Sequence, residues 1–266
     1  MSYEVIVVGG GRMGSAIATG LHRARPDVAT LVIQRGPAKA EETARRLSPV
    51  PVEESFRDDQ VGPSTSVILC VKPDQVDGVL RGIALTGVRR VVSVVAGLSS
   101  ARLEAGLPDG TAVIRAMPNT PAAIGRGVSA MSGGANCTKA DLDWTESILE
   151  TLGSVVRVPE TKMDAVSALS GAMPAYLYLV VESLIEAGVH QGLSRDISTQ
   201  LVVDTFLGSA ELLHTSGDTP ESLRHAVTSP GGLTAAGLRI LESRSVRSAF
   251  LEAVAAAAER SRQLGR

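Results

Sequence analysis

The sequence predicts an α/β domain on a parallel, doubly wound sheet, followed by an all-helical domain. Three observations predict it. Short β-branched runs alternate with amphipathic stretches up to about residue 160. Runs such as VIVV and VVSVV are apolar without alternation, as in strands covered on both faces. After Pro159 the β-runs become scarce and apolar residues recur at three- and four-residue spacing. A chain of 266 residues has room for two domains, and the change of pattern sets them at 1–160 and 161–266.

Taken in order, the strands expected are Tyr3–Val8, Thr30–Gln34, Val67–Val71, Arg90–Val95, Ala112–Met117 and Val155–Val158. Helices are expected between them near Met13–Arg23, Ala38–Leu47, Gln75–Arg81 and Lys139–Leu152. In the second half the helices expected are Ala175–Ala187, Ser194–Thr215, Pro220–Ala226, Thr234–Leu241 and Ser245–Leu264. Gly188, Gly192, Gly217 and the Pro230-Gly231-Gly232 turn punctuate them.

Composition removes several function classes. With 44% hydrophobic residues the chain has the apolar surface to offset ordering entropy, so disorder is excluded as its overall state. A net charge of −2, without long runs of either sign, argues against a broad basic field for nucleic acid. Two cysteines, Cys70 and Cys137, build no disulfide framework, which suits a reducing cytoplasm. His22, His190, His214 and His225 are scattered, so no metal-ligand spacing is present. The start of the chain lacks signal-peptide features, and no apolar run of roughly 20 residues is evident. A soluble cytoplasmic protein is expected, with no membrane partner.

Gly9-Gly10-Gly11-Arg12-Met13-Gly14 follows a strand and opens a helix, the context that makes G-x-G-x-x-G a dinucleotide loop. Its glycines let the backbone turn tightly and approach a pyrophosphate, while the helix start presents free N–H groups. A site for NAD carries Asp or Glu about 20 residues on, to hold the ribose 2′-hydroxyl. Here Gln34-Arg35-Gly36 occupies that place and Lys39 follows one turn later. Cations there pair with a 2′-phosphate that a carboxylate would repel. NADPH is the cofactor expected.

Three further loops lie where such a sheet binds ligands: Cys70-Val71-Lys72-Pro73, Val95-Ala96-Gly97 and Met117-Pro118-Asn119-Thr120-Pro121. Together with Val227-Thr228-Ser229-Pro230-Gly231-Gly232-Leu233-Thr234, and with MDAVSALSG and PAYLYLVVESLIEAGVHQGL, they make nearly the whole chain resemble the pyrroline-5-carboxylate reductase family. The resemblance implies a Rossmann-type N-terminal domain, a helical dimerisation domain, and NADPH-dependent reduction of a cyclic imine carboxylate to L-proline. It implies cofactor contacts at Gly9, Gly11, Arg12, Met13, Gly14, Gln34, Arg35, Lys39, Val71, Lys72, Pro73, Ala96 and Asn119. It further implies substrate contacts at Ser229, Gly231, Gly232, Thr234 and Met173. In that reading the amides of Gly231 and Gly232 hold the substrate carboxylate, and Thr234, the catalytic residue, offers its hydroxyl to the imine nitrogen. Read by itself, Thr234 is also a candidate N-cap.

The chain departs from the family at several places. Ala172-Met173 stands where the family reads Ser-Gly, Leu233 where it prefers Thr or Ala, and Arg12 where Asn or Gln is frequent. No asparagine is evident around Val52-Glu53-Glu54. The departures leave room for a related cyclic imine of specialised metabolism. A β-hydroxyacid dehydrogenase-like enzyme and a catalytically silent NADP(H)-sensing protein are the other readings; TSPGG and Thr234 weigh against both. Segments such as LYLVVESLIEAGV and SAFLEAVAAAA are apolar over arcs too wide for one exposed layer, so residues 161–266 are expected to pair as a homodimer. The resemblance adds rings of dimers, with each site combining a cofactor domain and helices of the partner.

Overall fold

The computed structural model describes residues 2–55 and 57–264. Eight strands form one sheet: β1 (Val5–Val8), β2 (Thr30–Ile33), β3 (Val52–Glu53), β4 (Ser66–Leu69), β5 (Arg90–Ser93), β6 (Ala112–Pro118), β7 (Gly127–Gly133) and β8 (Gly153–Arg157), in the order β3-β2-β1-β4-β5-β6-β7-β8. All neighbours are parallel except β6 and β7, which pair antiparallel with Ala116 opposite Met131. The expected parallel sheet is therefore extended by a turned-back strand. β7, of sequence GVSAMSG, carries one β-branched residue, so propensity gives it no signal.

The helices are α1 (Arg12–Ala24), α2 (Pro37–Leu47), α3 (Val76–Ala84), α4 (Ser100–Glu104), α5 (Lys139–Leu149), α6 (Met163–Val166), α7 (Met173–His190), α8 (Arg195–Ser216), α9 (Pro220–Ala226), α10 (Leu233–Ser243) and α11 (Val246–Leu264). A π-helical turn, Ser167–Gly171, joins α6 to α7. At the start of α5 the Thr138 hydroxyl accepts the Asp141 N–H and the Asp141 carboxylate accepts the Thr138 N–H, so two orphan donors are satisfied at once.

Successive strand side chains point to opposite faces. Val5 and Val7 of β1 join Ile17 and Leu21 of α1 and Ile148 and Leu149 of α5 in one core. Ile6 and Val8 join Leu80 and Ile83 of α3 in the other. Both faces are covered, which is why VIVV shows no alternation. At the start of β5 Arg90 donates to Asp141 at 2.6 Å and lies 4.2 Å over the Trp144 ring.

The chain forms two compact units, one of residues 2–172 with 256–264 and one of Met173–Ala255. In the second, α7 and α8 pack so closely that a Cβ on Gly188 would stand 2.6 Å from the Ser198 hydroxyl. Among the described residues of that unit only Pro174 and Ser198 are buried. One expectation needs correcting. The helical stretch Glu160–His190, 31 residues long, is long and apolar enough by composition to cross a membrane, with 11% of its apolar window buried. The π turn of Ser167–Gly171 carries the helix through small and polar residues and so joins it to the apolar run that follows.

Candidate active site

Gly9 leaves β1 at φ +107°, and a Cβ there would stand 2.5 Å from the Cys70 carbonyl oxygen. At Gly14 a Cβ would stand 1.9 Å from the Gly9 carbonyl oxygen, so α1 leaves the sheet only because that position is bare. Gly11, the N-cap of α1, meets nothing within 4 Å and opens outward. One glycine thus makes the turn, one lets a helix approach, and one keeps the cradle clear. Without side-chain capping at Gly11, the first amides of α1 remain available to an anion.

A cavity of about 760 Å³ opens over this loop at the carboxyl ends of β1, β2 and β4. It brings together Gly9, Gly11, Arg12, Gln34, Arg35, Lys39, Val71 and Lys72. Arg46 also lines it, a residue that sequence reasoning missed because nothing in its spacing sets it apart. Five cations (Arg12, Arg35, Lys39, Arg46, Lys72) face two carboxylates (Glu42, Glu54) there, and none of the five has a carboxylate partner among the described residues. Such a set suits phosphate groups. The glycine cradle and the cations therefore fit a dinucleotide.

The remaining expected cofactor residues lie outside the cavity lining. Met13, in the first turn of α1, packs against the core, and Gly14 is buried beneath the loop. Pro73 opens a 3-10 turn after Lys72, and Ala96 precedes Gly97, which turns at φ +82°. Asn119 is engaged internally: its Oδ1 accepts the Val128 N–H at 2.9 Å and its Nδ2 donates to the Ser170 carbonyl at 3.3 Å. Its carboxamide ties the loop after β6 to the π turn. Gln34 likewise turns inward, accepting the Gly10 N–H at 2.8 Å. Cys70 lines the cavity too, but burial raises its thiol pKa well above the ordinary value, and it stays protonated.

In the second unit, Ser229 to Gly232 form the turn between α9 and α10, with Gly231 at φ +70°. Two expectations change here. Gly232, not Thr234, is the N-cap of α10, and Thr234 occupies the second helical position. The Gly232 N–H donates to the Ser229 carbonyl at 3.1 Å, so it is spent within the turn. At the start of α10 the amides of Leu233, Thr234 and Ala235 are left open, because the Ala236 N–H is the first with a carbonyl behind it, that of Gly232. The Thr234 side chain is exposed, and its hydroxyl has no hydrogen-bond partner among the described residues. Met173 is the first residue of α7, 37% exposed. Among the described residues no three His, Cys, Asp or Glu side chains gather as a metal site.

Comparison with known proteins adds a further finding. Residues 160–264 match the family model for pyrroline-5-carboxylate reductase dimerisation, and residues 4–97 match one for coenzyme F420-dependent NADP oxidoreductase. The chain is 39% identical to the pyrroline-5-carboxylate reductase of Mycobacterium tuberculosis, across 98% of this chain and 96% of the relative. It is also 39% identical to that of Synechocystis, across 100% of both. Among solved structures, the Plasmodium falciparum pyrroline carboxylate reductase with NADP bound superimposes at TM-score 0.86 with 32% identity, covering 99% of this chain and 98% of that one. The pyrroline-5-carboxylate reductase of Coxiella burnetii gives 0.88 at 29% identity, covering 100% of both. Prephenate dehydrogenase from Aquifex aeolicus, at 15% identity and TM-score 0.54, shares the fold alone.

Proposed function

The chain belongs to the pyrroline-5-carboxylate reductase family, and we infer that it reduces the C=N bond of L-1-pyrroline-5-carboxylate with NADPH, the last step of proline biosynthesis. The observation that carries this reading is the cavity over the glycine loop, where five cations lack carboxylate partners among the described residues. Bound there, the cofactor supplies the hydride. Arg35 and Lys39 hold its 2′-phosphate, since no Asp or Glu closes β2. The first amides of α1, from Arg12 through Gly14, receive the diphosphate. Val71, Lys72, Pro73 and Ala96 border the nicotinamide half, and Asn119 acts on that border by fixing the loop after β6.

The turn of Ser229, Gly231 and Gly232 with the opening of α10 holds the substrate carboxylate at a helix start, where N–H groups and dipole favour an anion. Thr234 directs its hydroxyl to the ring nitrogen. Hydride arrives at carbon while charge develops on nitrogen, and a donor placed there stabilises the transition state. Met173 borders the ring. Two copies associate through residues 161–266, and the exposed apolar stretch within Glu160–His190 is covered by the partner rather than by lipid. Dimers assembling into rings, in the cytoplasm, complete the reading.

The decisive experiment follows NADPH absorbance with a panel of cyclic imine carboxylates. Pyrroline-5-carboxylate should be the best substrate, with proline formed one for one with NADPH consumed. Preference for a six-membered imine would transfer the role to another ring. Absence of turnover with every imine, with NADPH still bound, would leave a silent binding protein.

A further inference from the structure

The residue Gly10 is held at both of its polar ends by side chains from other elements. Its N–H donates to Gln34 Oε1 at 2.8 Å, from the end of β2. Its carbonyl accepts from Arg46 Nη2 at 2.6 Å, from α2, and from the Ser15 hydroxyl at 3.0 Å, from α1. The same Arg46 nitrogen donates to the Ser15 hydroxyl at 2.9 Å. Space is tight as well: a Cβ on Gly10 would stand 2.6 Å from Thr43 Cγ2 and 3.1 Å from Gln34 Oε1. The loop is therefore fixed by three elements that meet on one residue.

Arg46 is unusual on its own helix. Its neighbour Arg45 faces Glu41 at 3.9 Å, the ordinary pairing one turn apart. Glu42 stands in the same relation to Arg46, yet no ion pair joins them among the described residues. The guanidinium goes instead to a neutral carbonyl and a hydroxyl. Its charge stays unneutralised on the cavity lining.

We propose that Gln34 and Arg46 are positioning residues for the cofactor. They lock Gly10, and so set Gly9 and Gly11 in the cradle before the dinucleotide arrives. The proposal rests on the dinucleotide reading of the cavity. Its content is a division of labour: Arg35 and Lys39 recognise the 2′-phosphate, whereas Gln34 and Arg46 shape a loop that every nicotinamide dinucleotide uses. A loop already ordered binds more tightly because its ordering cost is met in folding rather than in binding.

The test measures direct binding of NADPH and of NADH to the full-length protein, without imine substrate. Wild-type binding of NADPH tests the cofactor reading by itself. Arg46→Ala and Gln34→Leu should each weaken both cofactors by a similar factor, about tenfold, as expected on losing one strong hydrogen bond. Arg46→Lys should recover much of the loss, because an ammonium can still donate to the Gly10 carbonyl. In kinetics the effect should appear in the cofactor KM, with kcat at saturation within about twofold of wild type. Weakening of NADPH alone would overturn the proposal and make Arg46 a 2′-phosphate ligand. Unchanged affinities with a lowered melting temperature would also overturn it, leaving a brace without influence on binding. Should Arg46→Ala not fold, Arg46→Lys and Gln34→Leu decide between the same outcomes.

Discussion

The two units of this chain bury their apolar residues by different means. In residues 2–172 with 256–264, Ile6, Ile17, Leu21, Leu31 and Ile68 are shielded completely, sandwiched between sheet and helices. In Met173–Ala255, Leu179, Leu207 and Leu251 are 62%, 66% and 74% exposed, and no leucine, isoleucine or valine is buried among the described residues. Burying a leucine is worth roughly 1.5–3 kcal/mol, so one unit has collected that term and the other has left it outstanding. One unit completes its core within a single chain. The other is half of a core, and the dimerisation match over residues 160–264 says what the other half is.

The largest effect should come from breaking the second core. Leu201, 54% exposed on α8, lines an apolar groove with Leu184, Phe206 and Leu213. Leu201→Asp would strand an unpaired carboxylate in that interface, at a cost of several kcal/mol. Light scattering should report the single-chain mass of 27.6 kDa and turnover should vanish, while NADPH still binds the sheet unit. A dimer that persists with full activity would contradict the comparison.

Next in size is the hydroxyl at the start of α10. Thr234→Ala should lower kcat by about five- to 150-fold, the worth of one transition-state hydrogen bond at roughly 1–3 kcal/mol. NADPH affinity and dimer mass should not move, which separates chemistry in one unit from cofactor binding in the other.

Arg35→Ala acts wholly on the sheet unit. It should raise the NADPH KM about tenfold, near 1.5 kcal/mol for an exposed charge-assisted contact, and leave the NADH KM close to wild type. Equal shifts for both cofactors would refute the assignment of the 2′-phosphate.

The smallest effect concerns acid. Burial alone would raise the Asp141 carboxyl, but hydrogen bonds from Thr138 and Arg90 outweigh it and hold the pKa below the ordinary value. A depressed carboxylate stabilises the fold above its unfolded pKa, near 3.9, and the contribution is lost as pH falls through the lower folded value. Asp141→Asn should therefore flatten the loss of stability between about pH 5 and pH 2. Because Arg90 and Asp141 belong to the sheet unit, this flattening should not vary with protein concentration. A dependence on concentration would place part of that unit's stability in the dimer.

Much of this architecture is legible in the residues. VIVV, TLVI and the glycine loop announce strand, turn and helix because β-branched runs covered on both faces leave few alternatives. The basic residues after β2 reveal the cavity's charge for the same local reason. What escapes notice depends on partners distant in sequence. β3 has two residues, Val52 and Glu53, and β7 is built of small ones; both exist because a neighbouring strand pairs with them. The grip of Arg46 on Gly10 spans 36 positions and has no local signature. Thr234 is the opposite case: a threonine near a helix start is also a candidate cap, but Gly232 takes the cap and the hydroxyl has no partner among the described residues.

The Ser261 hydroxyl donates to the Asp164 carboxylate at 2.6 Å, and both belong to the sheet unit although Met173–Ala255 lies between them in sequence. The helical unit is thus an insertion, and its host is finished only by residues made after it. During synthesis the sheet strands, complete by Arg157, leave the ribosome first. They must then wait with Ser261's place at α6 unfilled until the whole inserted unit has followed. A nascent chain arrested within α10 would hold every strand and yet lack its closing helix, so resistance to protease should rise in two steps rather than one.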